Sequence, residues 1–428
     1  MPAQTITNGV NGVNGVNGHG LASKHDNIIQ TLNGINADSF ENDGQRIEAV
    51  TAAYALVARL ETPWDFVLRL VMGQFYMRGP SGENDYPALG AALKVAMDLQ
   101  LFHEWHTAGD GEKTLAQIQD LVPKIETKLL SRILRHLAAN HVLEEPSAGV
   151  FKPTALSVSF TKPVFGEWIN HLRSYDATLP CFFKMPRHLA QTKYRNPVDP
   201  EDGIFQYAKD CRGLDMFHFY QQDENRAEGE SFNHVMGGVM ATQAGWLDIF
   251  PHDTLLATAR PDGPVLVDVG GSIGHDMERF RAAHPHVAAR LYVEDLPEVV
   301  KLSKCPDPVN KLGHDFFTPQ PIKGARAYYM HGVLHDWSDE PARKILEMQR
   351  DALTPGYSSL LIHDHIAPET VAHPHTTAYD LTMMVMVAGE ERTETHWRAL
   401  LKSAGYRVVK IWSSPLAVQR IIEAELDV

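Results

Sequence analysis

The sequence predicts an α/β protein in which a parallel, doubly wound sheet follows an all-helical region that ends in a winged helix. Three observations carry this. From Asp262 onward, short apolar runs alternate with helix-spaced segments and short loops, the pattern of strand–helix–strand units. The first of these runs, Val265–Val269, leads directly into Gly270, Gly271 and Gly274, where small residues let the chain turn sharply and let a ligand approach the backbone. Upstream, Val50, Ala53, Tyr54, Val57 and Leu60 recur at helical spacing, and further helical faces follow as far as His141.

Composition removes several classes of function. Of 428 residues, 44% are apolar and 21% charged, enough to build ordinary cores. The 39 Lys and Arg against 53 Asp and Glu leave a net charge of −14, which repels a phosphate backbone and argues against nucleic acid as a partner. Cys181, Cys211 and Cys305 are odd in number and widely spaced, so neither a disulfide framework nor a thiolate metal site is expected, and a reducing, cytoplasmic setting fits. No apolar run approaches the ~20 residues of a membrane helix, and Met1–Gly20 lacks the pattern of a secretory signal. No membrane partner is expected.

Residues 1–45 read as a disordered low-complexity tail, with Asn-Gly-Val recurring at Asn8, Asn11 and Asn14. Residues 46–180 read as a helical domain. After the first helix, Pro63 interrupts and a second helix carries Phe66, Leu70 and Phe75; Pro87–Trp105 reads as one buried helix. A short helix from Thr114, a stronger one from Thr127 to His141 and a wing over Val142–Thr154 turning at Gly149 complete a winged helix-turn-helix. Such a shape can bind DNA or serve as a packing and dimerisation module. Acidic net charge, and only Lys128, Arg132 and Arg135 as cations on the helix that would read DNA, favour the second. Residues 181–428 read as the catalytic domain, opening with aromatic- and Met-rich helices that leave room for a small-molecule pocket.

Within the sheet, a second strand, Leu291–Asp295, ends in an acid 27 residues after Asp268, where a carboxylate can accept both hydroxyls of a ribose. His314-Asp315-Phe316-Phe317 could bond and flank an adenine-like ring, or equally form a loop cap over a core Phe. The run from Tyr328 to Glu340 gives a strand, a loop with His335-Asp336-Trp337 and a helix start at Ser338. An imidazole at a strand's carboxyl end can take a proton near neutral pH.

The order of Asp-Val-Gly-Gly, Asp295-Leu296-Pro297, Asp-Phe-Phe, Leu-His-Asp-Trp-Ser-Asp-Glu and Gly389-Glu-Glu-Arg-Thr-Glu394 resembles the caffeate-type plant and fungal S-adenosylmethionine-dependent O-methyltransferases, from roughly Arg46 onward. The resemblance implies a Rossmann-like catalytic sheet and a homodimer joined through the winged-helix domain. It implies cofactor contacts at Gly270, Gly271, Asp295, Asp315 and Phe316, with His331 where the family has Lys or Arg. It further implies His335 as catalytic base beside Asp336, flanked by Asp364 (Glu in the plant enzymes) and Glu391, and substrate contacts at Phe232, Met236 and Met383. A sulfonium methyl is already electrophilic, so holding the acceptor oxygen in line and removing one proton suffices, without a metal. Some fungal relatives instead use bound S-adenosylmethionine as a charged scaffold for pericyclic cyclisation or dehydration; retention of His335 and Asp336 favours methyl transfer here. A ligand-responsive winged-helix regulator is a third reading, opposed by the acidic charge. His363-Asp-His365 with His373-Pro-His375 could bind zinc or iron, but Asp364 points away from its two neighbours on a strand.

Overall fold

The computed structural model describes residues 24–66, 86–169, 177–242, 245–370, 372, 374–414, 417 and 419–427. Two units divide the chain, Met1–Leu60 and Glu61–Val428. In the first, helices Lys24–Gly34 and Asp43–Leu60 flank a short turn, Ala37–Ser39, capped by the Asn36 side chain, which accepts from Asp38 N at 2.9 Å. The Lys24 helix falls where composition suggested a tail. The Asn-Gly repeats stop before it and no Gly or Pro interrupts Lys24–Asn33, so helix formation costs little. None of its residues is buried.

The second unit begins its described core with Phe66; Leu70 and Phe75 lie outside the described residues. Helices Tyr86–Asp98 and Leu101–Thr107 replace the single helix expected over Pro87–Trp105. Gln100 takes a left-handed conformation at φ 55°, and this break lets Leu93, Leu101 and Trp105 all reach one core. Strand β1 (Lys113–Thr114), helices Leu115–Leu121 and Thr127–Ala139, and strands β2 (Leu143–Ser147) and β3 (Val150–Pro153) follow. The three strands form an antiparallel sheet in the order β1-β3-β2. Leu130, Leu134 and Leu137 lie on one face of the Thr127 helix and are fully buried.

The catalytic sheet has seven strands: β4 (Leu266–Val269), β5 (Leu291–Asp295), β6 (Asn310–Gly313), β7 (Ala327–His331), β8 (Ser359–Asp364), β9 (Tyr406–Trp412) and β10 (Arg420–Leu426). Their order is β6-β5-β4-β7-β8-β10-β9. The first five are parallel, whereas β10 runs antiparallel to both β8 and β9. The sheet is thus mixed rather than wholly parallel, because the short link after Trp412 permits a hairpin but no crossover. The parallel register directs the carboxyl ends of β4, β5, β7 and β8 to one side, delivering Gly270, Asp295, His331 and Asp364 to a common crevice.

Candidate active site

The glycine loop forms where β4 ends. Gly270 adopts φ 71°, and a Cβ there would lie 2.9 Å from Val333 Cγ2; at Gly271 it would lie 2.5 Å from Cγ of the buried Asp268. Both positions exclude a side chain. Asp295, at the end of β5, accepts hydrogen bonds from Ser272 N and Leu296 N, each at 2.7 Å. One bond falls on each oxygen, so each keeps a lone pair for a further donor. Burial raises the Asp295 pKa, and the two N–H groups pull it back. Phe316 lines the same loop, its ring edge 3.7 Å from the position of a Gly270 Cβ. Exposed Asp315 accepts from Phe317 N at 2.9 Å, the loop-cap geometry that its sequence also suited.

His331 is fixed rather than free. Its Nδ1 lies 2.5 Å from Asp276 Oδ2 and its Nε2 2.9 Å from Gln419 Oε1. Burial would lower its proton affinity, but Asp276 more than offsets this and the pKa is raised. His363 stacks on it at 3.9 Å between ring centroids and meets Tyr329 Oη at 2.8 Å. Burial, then the neighbouring His331, drives the His363 pKa well down. His365, by contrast, packs against Tyr379 at 4.9 Å. The two histidines once weighed as metal ligands therefore have separate surroundings, while His373 and the side chain of His375 lie outside the described residues.

The short turn Leu334–Asp336 presents His335, which is 7% exposed. Its Nδ1 is 2.8 Å from Glu391 Oε1 and 3.7 Å from Asp364 Oδ1; its Nε2 is 3.5 Å from Asp336 Oδ1. Burial opposes a charged ring, yet Asp364, Glu391 and Asp336 together carry the His335 pKa well above its ordinary value. The same burial pushes Asp336 up to about 7 and Asp364 up to about 6. Glu391 goes the other way: burial is outweighed by His335, which holds it ionised. Three acids around one imidazole give a site with high proton affinity on the ring.

Several residues that sequence reasoning passed over hold this arrangement. Arg392, fully buried, donates to Leu334 O at 2.9 Å, Trp337 O at 2.7 Å and Asp339 Oδ1 at 3.0 Å. These bonds bracket His335. Glu390 N donates to His335 O at 3.0 Å, Glu391 N donates to Asp380 Oδ1 at 2.9 Å, and a Cβ on Gly389 would collide with His335 O. The ring of Tyr379 stacks parallel to His335 at 6.2 Å. Arg392 falls within Gly389–Glu394, but a charged residue on a loop reads as surface; Tyr379 carries no signal of its own in the sequence.

Phe232 stacks with Tyr220 at 5.7 Å and shares an apolar cluster with Met383 and Phe217. Phe217 reaches Trp337 at 6.4 Å. Met236, one turn beyond Phe232, packs instead with Tyr379 into the core of the helical region. The predicted pair on this helix thus serves two neighbouring clusters that meet at the His335 turn.

The glycine loop, Asp295 and the acid-flanked His335 thus gather at the carboxyl ends of a doubly wound sheet. Residues 210–407 match the O-methyltransferase domain and residues 86–163 the O-methyltransferase dimerisation domain. The O-methyltransferase mfmE of Annulohypoxylon moriforme is 70% identical over 406 residues, covering 95% of this chain and 97% of that protein. The O-methyltransferase ATR12 of Stachybotrys chlorohalonatus is 34% identical over 411 residues, covering 95% and 100%. Among solved structures, the LepI complex with SAM aligns at a TM-score of 0.72 and 26% identity, covering 94% of this chain and 97% of that one. The chain belongs to the O-methyltransferase family and is an enzyme of that class.

Proposed function

We propose that the protein is a cytoplasmic homodimer of the fungal secondary-metabolite branch that methylates a hydroxyl of an aromatic or polyketide-like small molecule, using S-adenosylmethionine. In this reading residues 46–180 supply the dimerisation domain and residues 181–428 the catalytic one. The observation that carries it is His335, whose Nδ1 faces both Glu391 and Asp364, just past the carboxyl end of β7, the parallel neighbour of the strand that leads into the glycine loop. The residues present fit the cofactor: the loop Gly270–Gly271 follows β4 beside Phe316, and Asp295 keeps acceptor capacity for ribose hydroxyls. Asp315 and Phe316 would border the adenine, and His331, held between Asp276 and Gln419, would stand nearby. Bound S-adenosylmethionine supplies an electrophilic methyl group.

His335 takes the hydroxyl proton on Nε2 as the acceptor oxygen is alkylated, because Nδ1 is engaged by Glu391. Glu391 and Asp364 stabilise the resulting imidazolium, as a buried acid does for a catalytic histidine. Phe232, Met236 and Met383 bound the acceptor, and Asp336 adjoins the working nitrogen. Incubation with labelled cofactor and a panel of hydroxylated aromatics tests this; methylated product with stoichiometric demethylated cofactor is expected. The likeness to a structure described as a pericyclic reaction enzyme, at 25% identity and a TM-score of 0.72, favours a second reading: cyclisation or dehydration over unreacted cofactor. Product formed with the cofactor intact would establish that reading and overturn the first.

A further inference from the structure

A second cluster of ligating side chains lies outside the site described above. His252 precedes the helix Asp253–Ala257, and His284 caps the C-terminus of the helix His275–Ala283. His252 Nδ1 and His284 Nε2 are 2.8 Å apart, and Asp253 Oδ1 lies 3.8 Å from the first and 3.7 Å from the second. Two imidazoles and one carboxylate around a common point are a donor set for a borderline divalent cation. In a tetrahedral centre with bonds of about 2.0–2.1 Å, such donors stand roughly 3.3 Å apart. One edge of the triangle is shorter than that and two are longer, so side-chain shifts of a few tenths of an ångström would equalise them.

His284 is buried against Phe280, 4.8 Å between ring centroids, and His252 stands 6.4 Å from Trp246. His252 Nδ1, His284 Nε2 and Asp253 Oδ1 all lie within 3.8 Å of one another. Asp253 is 84% exposed in its side chain and opens the cluster to solvent. The other close three-donor grouping among the described residues, Asp339, Glu390 and His396, already holds the Arg392 guanidinium at 3.0 and 3.3 Å.

We propose that His252, Asp253 and His284 bind a divalent first-row transition-metal cation, with zinc(II) as the probe, that staples two helix ends. The His275 helix begins at Gly274, the last glycine of the cofactor loop, so the cation would brace its far end. The full-length protein, stripped with chelator, is titrated with zinc(II) by calorimetry and with cobalt(II) by visible absorption, where tetrahedral nitrogen–oxygen coordination is strongly coloured. One equivalent per chain and a raised Tm are expected. His252→Ala should weaken that equivalent by more than the roughly 10- to 100-fold lost with an outer-shell partner. Asp253→Ala, at an exposed side chain that the fold does not need, should weaken it in the same direction and alter the cobalt spectrum. An unchanged isotherm and spectrum in Asp253→Ala, or no binding to the stripped protein, overturns the proposal.

Discussion

His335 sits among Glu391, Asp364 and Asp336, and their charge raises its pKa well above the ordinary value of about 6.5. A base must be unprotonated to act. Activity should therefore climb as pH rises above neutrality and level off above the His335 pKa, as kcat/KM profiles would show. Replacing Glu391 by Gln removes one source of that elevation, so the midpoint should move toward acid while kcat falls. His335→Ala should lower turnover by ~10²- to 10⁴-fold with cofactor affinity retained, and recover partly at high pH where a phenol ionises unaided. Asp295→Ala should weaken cofactor binding by roughly 1.5–3 kcal/mol per hydrogen bond lost, measured by calorimetry on the folded variant. At this scale Asp295 and His335 could be picked out from the sequence itself, because a strand pattern precedes each, whereas Asp364 and Glu391 came only from the family resemblance. Arg392 and Gln419 came from neither, since their roles depend on which distant carbonyl or imidazole the fold brings to them.

Between elements, the decisive contact is the segment Gly389–Arg392 lying against the turn Leu334–Asp336. Arg392 supplies donors to carbonyls on both sides of His335, and Gly389 allows the backbone approach. Gly389→Ala should overpack this contact at a cost of about 1–3 kcal/mol, lowering Tm and kcat together. Arg392→Lys, which keeps charge but loses the planar fork, should reduce kcat with little change in KM. The strand–helix alternation from β4 to β9 was legible from composition and period. Strand β6, with the polar sequence Asn-Lys-Leu-Gly, was not, because an edge strand need not be apolar on both faces. Nor was β10: Glu423 and Glu425 interrupt its apolar run, yet they pair with Trp412 Nε1 and Arg407 across β9. The break at Gln100 escaped for a different reason. A non-glycine residue in a left-handed conformation leaves no local signature, and only packing selects it.

For the whole molecule, the dimerisation domain over residues 86–163 leads to the expectation of a homodimer, with a light-scattering mass about twice the 47.7 kDa of one chain. A monomer at micromolar concentration would contradict it. The order of the catalytic sheet carries a biosynthetic consequence. Strand β10, the last strand among the described residues, lies between β8 and β9 rather than at an edge, and Gln419 at its start completes the surroundings of His331. During translation the strands holding the glycine loop and the His335 turn emerge well before the one that must insert beside β8, a contact of long sequence separation. A ribosome that stalls before Gln419 therefore releases a chain with β8 exposed along one side and the His331 wall open. Closure of the His331 surroundings therefore waits on the strand that inserts beside β8, and until it pairs, β8 offers an open edge to chaperones and proteases.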